Sequence, residues 1–138
     1  MSDDKEYNTS RIGLIVEEKC IVFLLEQNLP VLKPIGNDLK YDLVFEKDTK
    51  FYKVQCKHAT KKNRGFVIKT AYSHRNGKRE KYTKKDCDFF MTEVDGKFYL
   101  LPVLNTLEKK FWLETPKNKV ATSLMASDFL AEDIIAKL

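Results

Sequence analysis

A small set of polar residues stands at spacings that could support hydrolytic chemistry. Asp42 occurs in Tyr-Asp-Leu-Val-Phe, and Gln55 and Lys57 occur in Val-Gln-Cys-Lys, two segments with the composition of β-strands. Because alternate side chains of a strand share a face, Gln55 and Lys57 should project together, and Cys56 to the other side. The polar stretch 47–50 can turn a hairpin and bring Asp42 beside that pair. Carboxylate and amide oxygens suit a hard divalent cation, and a nearby ammonium group can hold a water or a phosphate.

A further acid is predicted on a helix. Residues 10–27 have a helical pattern, and at about 100° per residue Glu17 falls among Cys20, Ile21 and Leu24, on the face that should be buried. Buried carboxylates are rare unless they are paired or bound to a cation. Glu17 is therefore either a further acid of the same centre or the partner of a buried lysine or arginine.

Positive charge is concentrated in one part of the chain. The formal net charge is +5. Residues 53–85 contain twelve Lys or Arg and one Asp or Glu, giving +11, so the rest of the chain sums to −6. A cationic segment attracts polyanions, with an affinity that falls steeply with salt. This concentration of positive charge indicates a nucleic-acid partner. The alternative is that the basic residues form a solvated surface that serves only solubility.

The basic segment also has the pattern of a protruding ribbon. Residues 73–79 read as a turn between a strand at 65–72 and the segment near Tyr82. A two-stranded ribbon can enter the major groove of DNA, where arginines pair with guanine edges while lysines meet phosphates. The residues predicted to contact DNA are Lys61, Lys62, Arg64, Lys69, Arg75, Lys78, Arg79 and Lys81.

Four short motifs resemble the PD-(D/E)XK nuclease superfamily, and the resemblance runs from about residue 10 to residue 103. Within the superfamily the chain is most similar to the small homing endonucleases encoded in group I introns, in which glutamine likewise replaces the third acid. The motifs are Gly13-Leu-Ile-Val-Glu17, Pro34-Ile-Gly-Asn37, Tyr41-Asp42-Leu-Val and Val54-Gln55-Cys56-Lys57.

The resemblance implies hydrolysis of phosphodiester bonds in double-stranded DNA with Mg²⁺ or Mn²⁺ as the cofactor. By the same resemblance, Asp42, Gln55 and the carbonyl of Cys56 are expected to hold the metal. Lys57 is expected to orient or deprotonate the attacking water, and Glu17 to reach the site from the first helix. Gln55 departs from the superfamily pattern. An amide removes one negative charge, which should weaken cation affinity and leaves the number of metals open.

Three alternatives stay open at this point. An acid before one strand and a lysine in the next strand also occur in hairpins that have no catalytic function. A binding module that keeps the fold and the basic groove would bind DNA without cutting it, as Gln55 allows. A Holliday-junction resolvase or repair nuclease would prefer branched DNA, although archaeal resolvases keep the third acid that this chain lacks.

Length and composition predict one domain spanning residues 1–138. A chain of 138 residues with 43% hydrophobic content can bury a single core. Its three cysteines lack a Cys-x-x-Cys spacing, which argues against disulfides and zinc and favours a reducing interior. No secretory signal or membrane-spanning stretch is evident, so we expect a soluble protein of the cytoplasm without a membrane partner.

The periodicity predicts an α/β protein with a mixed central β-sheet flanked by helices, and the resemblance implies that this is a restriction-endonuclease-like core. Asp95-Gly96 suits the turn of a two-residue hairpin, and Ser127 can cap a final helix. The predicted elements are a helix at 10–27 and strands at 30–33, 41–46, 51–58, 65–72, 88–94, 97–103 and about 111–114.

The first helix also predicts assembly. Besides a polar arc, it has Leu14 and Leu25 on one side and Val16 and Phe23 on the other, more apolar residues than packing on one sheet face requires. Because one site of this kind cuts one strand, an efficient double-strand break needs two sites in opposite orientations. We therefore expect a homodimer, or a homotetramer as in the similar intron-encoded enzymes. The polar arc consists of Arg11, Glu18, Lys19 and Glu26.

Overall fold

The computed structural model describes residues 2–36 and 38–138, with side chains described from Thr9 onward. Asn37, the last residue of the second motif, lies outside the described residues. The helices are α1 (Ser2–Glu26) and α2 (Ala131–Ala136), the latter preceded by a 3₁₀ turn at Ala126–Phe129. The strands are β1 (Val31–Leu32), β2 (Leu43–Lys47), β3 (Lys50–Cys56), β4 (Thr60–Lys62), β5 (Gly65–Lys69), β6 (Ala71–Ser73), β7 (Arg79–Lys81), β8 (Phe89–Val94), β9 (Lys97–Pro102), β10 (Glu108–Trp112) and β11 (Leu124–Met125).

The strands form three sheets. The central sheet has the order β1-β2-β3-β8-β9 and is mixed, because β3 and β8 run parallel while the other neighbours are antiparallel. A second sheet has the order β11-β10-β5-β4, and β6 pairs only with β7 in a separate two-stranded ribbon. The predicted α/β class with a mixed central sheet is confirmed.

The central sheet carries one hydrophobic core on each face, as the alternation of strand side chains requires. On one face, Val54 of β3 packs in the same core as Cys20 and Leu24 of α1. On the other face, Phe90 of β8 packs in the same core as Phe111 of β10. Both helices therefore contribute to the first core, whereas the second face is covered by a sheet, which the sequence analysis did not anticipate.

The prediction of one strand over 65–72 is wrong in detail, because the chain changes sheet at Thr70. The Thr70 N–H donates to the Leu107 carbonyl at 2.9 Å, and its own carbonyl accepts from the Tyr82 N–H at 3.1 Å. Its buried hydroxyl donates to the Thr106 carbonyl at 2.5 Å. These contacts divide the predicted strand into β5 and β6.

The element boundaries differ from prediction at both ends of the chain. α1 begins at Ser2 rather than at residue 10. The strand predicted at about 111–114 is β10, which lies at 108–112. Ser127 does not cap α2, whose N-cap position is Leu130 without a side-chain hydrogen bond. The Asp95-Gly96 turn is confirmed, with φ of 51° and 82°.

Two further predictions concern cysteines and membranes. All three cysteines are free thiols. Within the described residues, neither helix combines the length and apolar character needed to cross a membrane.

Candidate active site

Asp42 lies directly before β2 and is fixed against β3 by two hydrogen bonds. Its N–H donates to the Val54 carbonyl at 2.9 Å, and its carboxylate Oδ2 accepts from the Cys56 N–H at 2.8 Å. The turn between β2 and β3 is formed by Asp48 and Thr49, both at positive φ, within the predicted stretch 47–50. The hairpin therefore brings the Asp42 carboxylate to the strand that carries Gln55 and Lys57.

The predicted alternation along β3 is confirmed. Val54 is fully buried in the helix-side core, and Cys56 packs against the same core. Gln55 and Lys57 therefore project toward the opposite face of the sheet. The Gln55 side chain is half-buried and forms no hydrogen bond with any residue that the structure describes. Its amide oxygen is thus not committed to a protein donor.

Lys57 is held where β3 ends. Its N–H donates to the Met91 carbonyl at 2.8 Å. Its Nζ lies 3.4 Å from the Tyr82 hydroxyl and 4.7 Å from the centre of the Tyr82 ring. Since Tyr82 is buried within the second core, it provides a rigid support for the lysine ammonium.

The charges of the site act on one another. Burial raises the pKa of Asp42; the hydrogen bond from the Cys56 N–H opposes this, and the nearby Glu17 carboxylate raises it further. Burial lowers the pKa of Lys57, while the Asp42 charge opposes the shift. The charges of Glu17 and Lys57 thus both act on Asp42, and a cation bound there would offset the repulsion between the two carboxylates.

Glu17 has features of both of its predicted roles. Its carboxylate lies 2.9 Å from Lys33 Nζ, and its side chain is 21% exposed. The predicted alternative was a buried basic partner, but Lys33 is 48% exposed. The hydrogen bond to Glu17 raises the pKa of Lys33. Because both charges also act on Asp42, the ion pair belongs to the surroundings of the site.

The donor atoms around Asp42 suit a hard cation. Within the described part of the chain no group of three or more His, Cys, Asp or Glu could hold a metal ion. The predicted ligand set instead combines one carboxylate with the amide oxygen of Gln55 and the carbonyl of Cys56. In a strand the N–H and C=O of one residue point to the same side, so the Cys56 carbonyl faces the Asp42 side. All of these donors are oxygen atoms, which Mg²⁺ prefers.

The thiol of Cys56 takes no part in this donor set. It lies on the helix side of β3 against Cys20, and its hydrogen bond to Cys20 together with burial raises its pKa well above the ordinary value. A thiolate ligand is therefore unfavourable here.

A groove extends from Lys57 along the basic segment. It has a volume of about 480 Å³ and is lined by His58, Lys62 and Lys69 besides Lys57. The positive charge of Lys69 contributes to the lowered pKa of Lys57. Two of the residues predicted to contact DNA thus adjoin the predicted catalytic lysine.

The other predicted DNA contacts lie farther along two hairpins. Arg64 stands in the turn between β4 and β5, and its guanidinium lies 3.9 Å from Glu114. Lys61 on β4 forms a 2.7 Å ion pair with Asp95. All eight predicted residues are exposed. The four in the second hairpin are Arg75, Lys78, Arg79 and Lys81.

The predicted ribbon exists, but it is formed by β6 and β7 alone. On one side of the ribbon the Tyr72 hydroxyl donates to the Glu80 carboxylate, and His74 Nε2 lies 3.0 Å from the same carboxylate. The hydrogen bond to Glu80 raises the pKa of Tyr72 to about 12. Since the tip at 74–78 is exposed, the ribbon presents its basic side chains to solvent.

Sequence reasoning missed the supporting roles of Tyr82 and Lys33. Tyr82 contacts Lys57 from 25 residues further along the chain, and Lys33 pairs with Glu17. Neither residue stands at a spacing that indicates its partner. Only the position of Lys33, at the end of the strand predicted at 30–33 and directly before the second motif, gave a signal.

Comparisons with known proteins agree with this geometry. A family model described as PD-(D/E)XK endonuclease matches residues 7–129. The structure is similar to that of a bacterial homing endonuclease, I-Ssp6803I, with a TM-score of 0.74 and 27% sequence identity over 94% of each chain. A search of curated protein sequences gives no significant match.

Proposed function

Because the chain belongs to the PD-(D/E)XK endonuclease family, we propose that it cuts double-stranded DNA by hydrolysing phosphodiester bonds with Mg²⁺. One observation carries this proposal. The Asp42 carboxylate accepts a hydrogen bond from the backbone N–H of Cys56, so an anionic oxygen lies against the short segment that carries the Gln55 amide and the Lys57 ammonium group, which supports a common site.

Asp42, Gln55 and the carbonyl of Cys56 are the residues that would hold the cation. When bound, a divalent cation neutralises charge on the attacked phosphate and makes water a better nucleophile. Mn²⁺ should substitute for Mg²⁺, because the donors are the same hard oxygens. Glu17 adds a second negative charge near Asp42, which partly compensates for the charge absent from Gln55.

Lys57 would position the attacking water. Its desolvated ammonium group donates hydrogen bonds, and its lowered pKa makes the loss of a proton easier than from an ordinary lysine. Tyr82 restrains the lysine from one side. Lys57 can therefore hold a water against a phosphate or accept its proton, the two roles expected for this position.

DNA would bind along the groove beside Lys57 and against the ribbon. Lys62 and Lys69 line the groove and would contact phosphates, whereas Arg75 and Arg79 on the ribbon would contact base edges. The similarity to a bacterial homing endonuclease over 94% of each chain supports recognition of a specific site, as in intron homing.

The test compares two aspartates of the same hairpin. Asp42→Asn keeps the shape of the side chain and removes its charge, and should abolish Mg²⁺-dependent cleavage of linear duplex DNA. Asp48→Asn alters the exposed turn, where asparagine tolerates the positive φ of 51°, and should cleave normally. Full activity of Asp42→Asn, or full activity of the native protein in EDTA, would refute the proposal.

A non-cleaving DNA-binding module is the second candidate, favoured by Gln55 in place of an acid. It would bind duplex DNA equally well with Mg²⁺ or EDTA and cut nothing. Four-way junctions in the same assay distinguish a nuclease of linear duplex DNA from a Holliday-junction resolvase or repair nuclease, because the latter would cut the junctions in preference to linear duplex. Cleavage of both strands in one encounter would indicate the homodimer or homotetramer that we propose for the active enzyme.

A further inference from the structure

The outer face of the second sheet continues from the groove beside Lys57. β10 is antiparallel to β5, with Glu108 opposite Lys69 and Trp112 opposite Gly65. Directly opposed residues of an antiparallel pair project from the same face of a sheet, and both Glu108 and Lys69 line the groove. Trp112 therefore lies on the same face, about 14 Å along β10 from Glu108.

A second groove lies at this end of the sheet, and we call it the Trp112 groove. It has a volume of about 420 Å³, and its lining includes Trp112, Asn63 and Arg64. Lys110 Nζ lies 3.9 Å from the centre of the Trp112 ring and donates to the Asn63 carbonyl at 3.0 Å. The groove therefore combines a flat aromatic surface with the nearby positive charges of Lys110 and Arg64.

The backbone holds the Trp112 groove in a defined shape. The Arg64 carbonyl accepts hydrogen bonds from the N–H groups of Leu113 at 2.8 Å and Glu114 at 3.1 Å. A Cβ atom on Gly65 would collide with the Phe111 carbonyl, so glycine allows the start of β5 to lie this close to β10. A ligand would thus enter a preformed site, which lowers the cost of ordering on binding.

An acid adjoins the groove but neutralises it only in part. Arg64 Nε lies 3.9 Å from the Glu114 carboxylate, and the two side chains are 50% and 73% exposed. Exposed ion pairs of this kind are weak because water and salt screen them. The Arg64 guanidinium can therefore exchange Glu114 for a phosphate.

An aromatic ring beside cationic side chains matches the chemistry of a nucleotide. Every base has a flat π-face that can stack on an indole, and a phosphate suits a guanidinium group. Within an intact duplex, neighbouring bases cover both faces of each base, so a base must leave the stack before it can contact a protein ring in this way. Unpaired bases are most accessible at strand ends, and cleavage produces such ends.

We propose that the Trp112 groove binds an unpaired base of DNA, stacked on the indole, with Arg64 contacting the adjoining phosphate. The choice of occupant rests on the proposed function, since the cutting of duplex DNA creates the strand ends that carry such bases. At the 3.4 Å spacing along one strand of duplex DNA, the distance of about 14 Å from Glu108 to Trp112 corresponds to about four nucleotides. One cut strand can therefore reach both grooves, whereas intact duplex does not enter the Trp112 groove.

Fluorescence tests the proposal directly, because Trp112 is the single tryptophan of the chain. In EDTA, a short oligothymidylate should quench the tryptophan fluorescence of the native protein to saturation. Relaxed closed-circular duplex DNA should quench it much less, because this DNA has no strand ends. Polyglutamate, which carries negative charge without bases, should also quench it much less. Equal quenching by either control, or no quenching by the oligothymidylate, would overturn the proposal.

Substitutions separate stacking from structural support. Trp112→Ala should weaken the binding of fluorescein-labelled oligothymidylate about tenfold, whereas Trp112→Phe keeps an aromatic ring and should stay within about threefold of the native affinity. Phe51→Ala removes another exposed aromatic ring and should bind like the native chain. Fluorescence anisotropy measures the affinities. A Trp112→Ala variant with native affinity would overturn the proposal. Should that variant unfold, Trp112→Leu, which keeps an apolar side chain without a ring, takes its place.

The outcomes are distinguishable from those of the proposed function. Asp42→Asn should cut no DNA and yet bind the oligothymidylate with native affinity. A native protein that cuts duplex DNA with Mg²⁺, but whose fluorescence does not respond to the oligothymidylate, would overturn the Trp112 groove alone. A native protein that binds the oligothymidylate through Trp112 but cuts no DNA would support the groove and count against the proposed function.

Discussion

The hairpin of β2 and β3 and the ribbon of β6 and β7 both carry charged residues, but they hold them differently. In the first hairpin, the Asp42 carboxylate accepts a hydrogen bond from the backbone of β3. Burial raises the pKa of Asp42 and lowers that of Lys57. In the ribbon, Arg75 and Arg79 are exposed. The first arrangement holds a few charges in a partly buried setting, whereas the second presents exposed charges to solvent and thus to a large partner.

This contrast shows that catalysis and DNA contact make different demands on the structure around a charged residue. Chemistry requires atoms held within a fraction of an ångström, and desolvation strengthens the interactions among them. Contact with a polyanion tolerates mobility, because counterion release depends on the number of charges more than on their geometry. Substitutions in the two hairpins should therefore affect different measured quantities.

The largest expected effect is on the cleavage rate. Lys57→Met keeps most of the side-chain volume but removes the ammonium group, and should lower kcat on the order of 10²–10⁴-fold with little change in DNA affinity. Lys50→Met changes an exposed lysine of the same strand and serves as the control. Single-turnover cleavage and fluorescence anisotropy give the two quantities. A Lys57→Met variant that binds poorly but cuts at the native rate would reverse the assignment of the two hairpins.

The next effect is on DNA affinity. Replacing Arg75, Lys78 and Arg79 together by Ala should lower affinity and reduce the slope of log affinity against log salt by about 1 for each of these side chains that neutralises a phosphate, hence by about 1–3. The rate at saturating protein should change little. The control replaces Lys117, Lys119 and Lys137 together by Ala. It removes the same number of positive charges outside the basic segment and should leave the slope nearly unchanged. An unaltered slope in the ribbon variant would move the DNA-binding surface elsewhere.

Single arginine substitutions sharpen the same point. If Arg75 or Arg79 contacts a guanine edge, its replacement by Ala should relax preference at particular base pairs by about 1–3 kcal/mol. Cleavage of a library of randomised target sites measures this. Equal loss of affinity on every sequence would assign that arginine to phosphate contact.

A smaller effect is expected at the support of Lys57. Tyr82→Phe removes the hydroxyl that lies 3.4 Å from Lys57 Nζ and keeps the buried ring. A hydrogen bond of this kind contributes about 1 kcal/mol, so kcat should fall roughly fivefold while affinity is unchanged. An unchanged kcat would show that packing alone positions the lysine.

The smallest effect is on stability without metal. The pKa of Asp42 is raised above its ordinary value of 3.8, mainly by burial. A raised pKa favours the protonated acid in the fold, so its contribution to stability is present at low pH and is lost as pH rises through the raised pKa. In EDTA, Asp42→Asn should therefore gain stability relative to the native chain as the pH rises above the ordinary pKa of 3.8. Urea unfolding measures the difference, and the opposite trend would contradict the burial argument.

Local periodicity predicted the parts of the molecule that depend on neighbours in sequence. The spacing of Cys20 and Leu24 gave the buried face of α1, and the alternation along β3 separated Gln55 from Cys56. Val16, predicted among the apolar residues in excess of packing, is instead buried in the same core. These features follow from helix and strand geometry alone.

Features set by distant contacts could not be predicted in this way. The break between β5 and β6 depends on bonds from Thr70 to Thr106 and Leu107, and the second sheet depends on pairing of β5 with β10 across some forty residues. The partner of Glu17 was likewise not evident, because Lys33 lies on another element. Sequence patterns record which side chains face inward, but not which distant element they meet.

Direct measurement of metal binding tests the central claim, that Asp42 and its neighbours on β3 hold a divalent cation. Mn²⁺ titration, followed by electron paramagnetic resonance with uncleavable duplex DNA present, should show a site in the native chain. Asp42→Asn should weaken that site by roughly a hundredfold or more, an expected loss of about 2.7 kcal/mol for one charged ligand. Gln55→Glu should strengthen it by restoring a carboxylate. Equal Mn²⁺ affinity in the native and Asp42→Asn proteins would contradict the account.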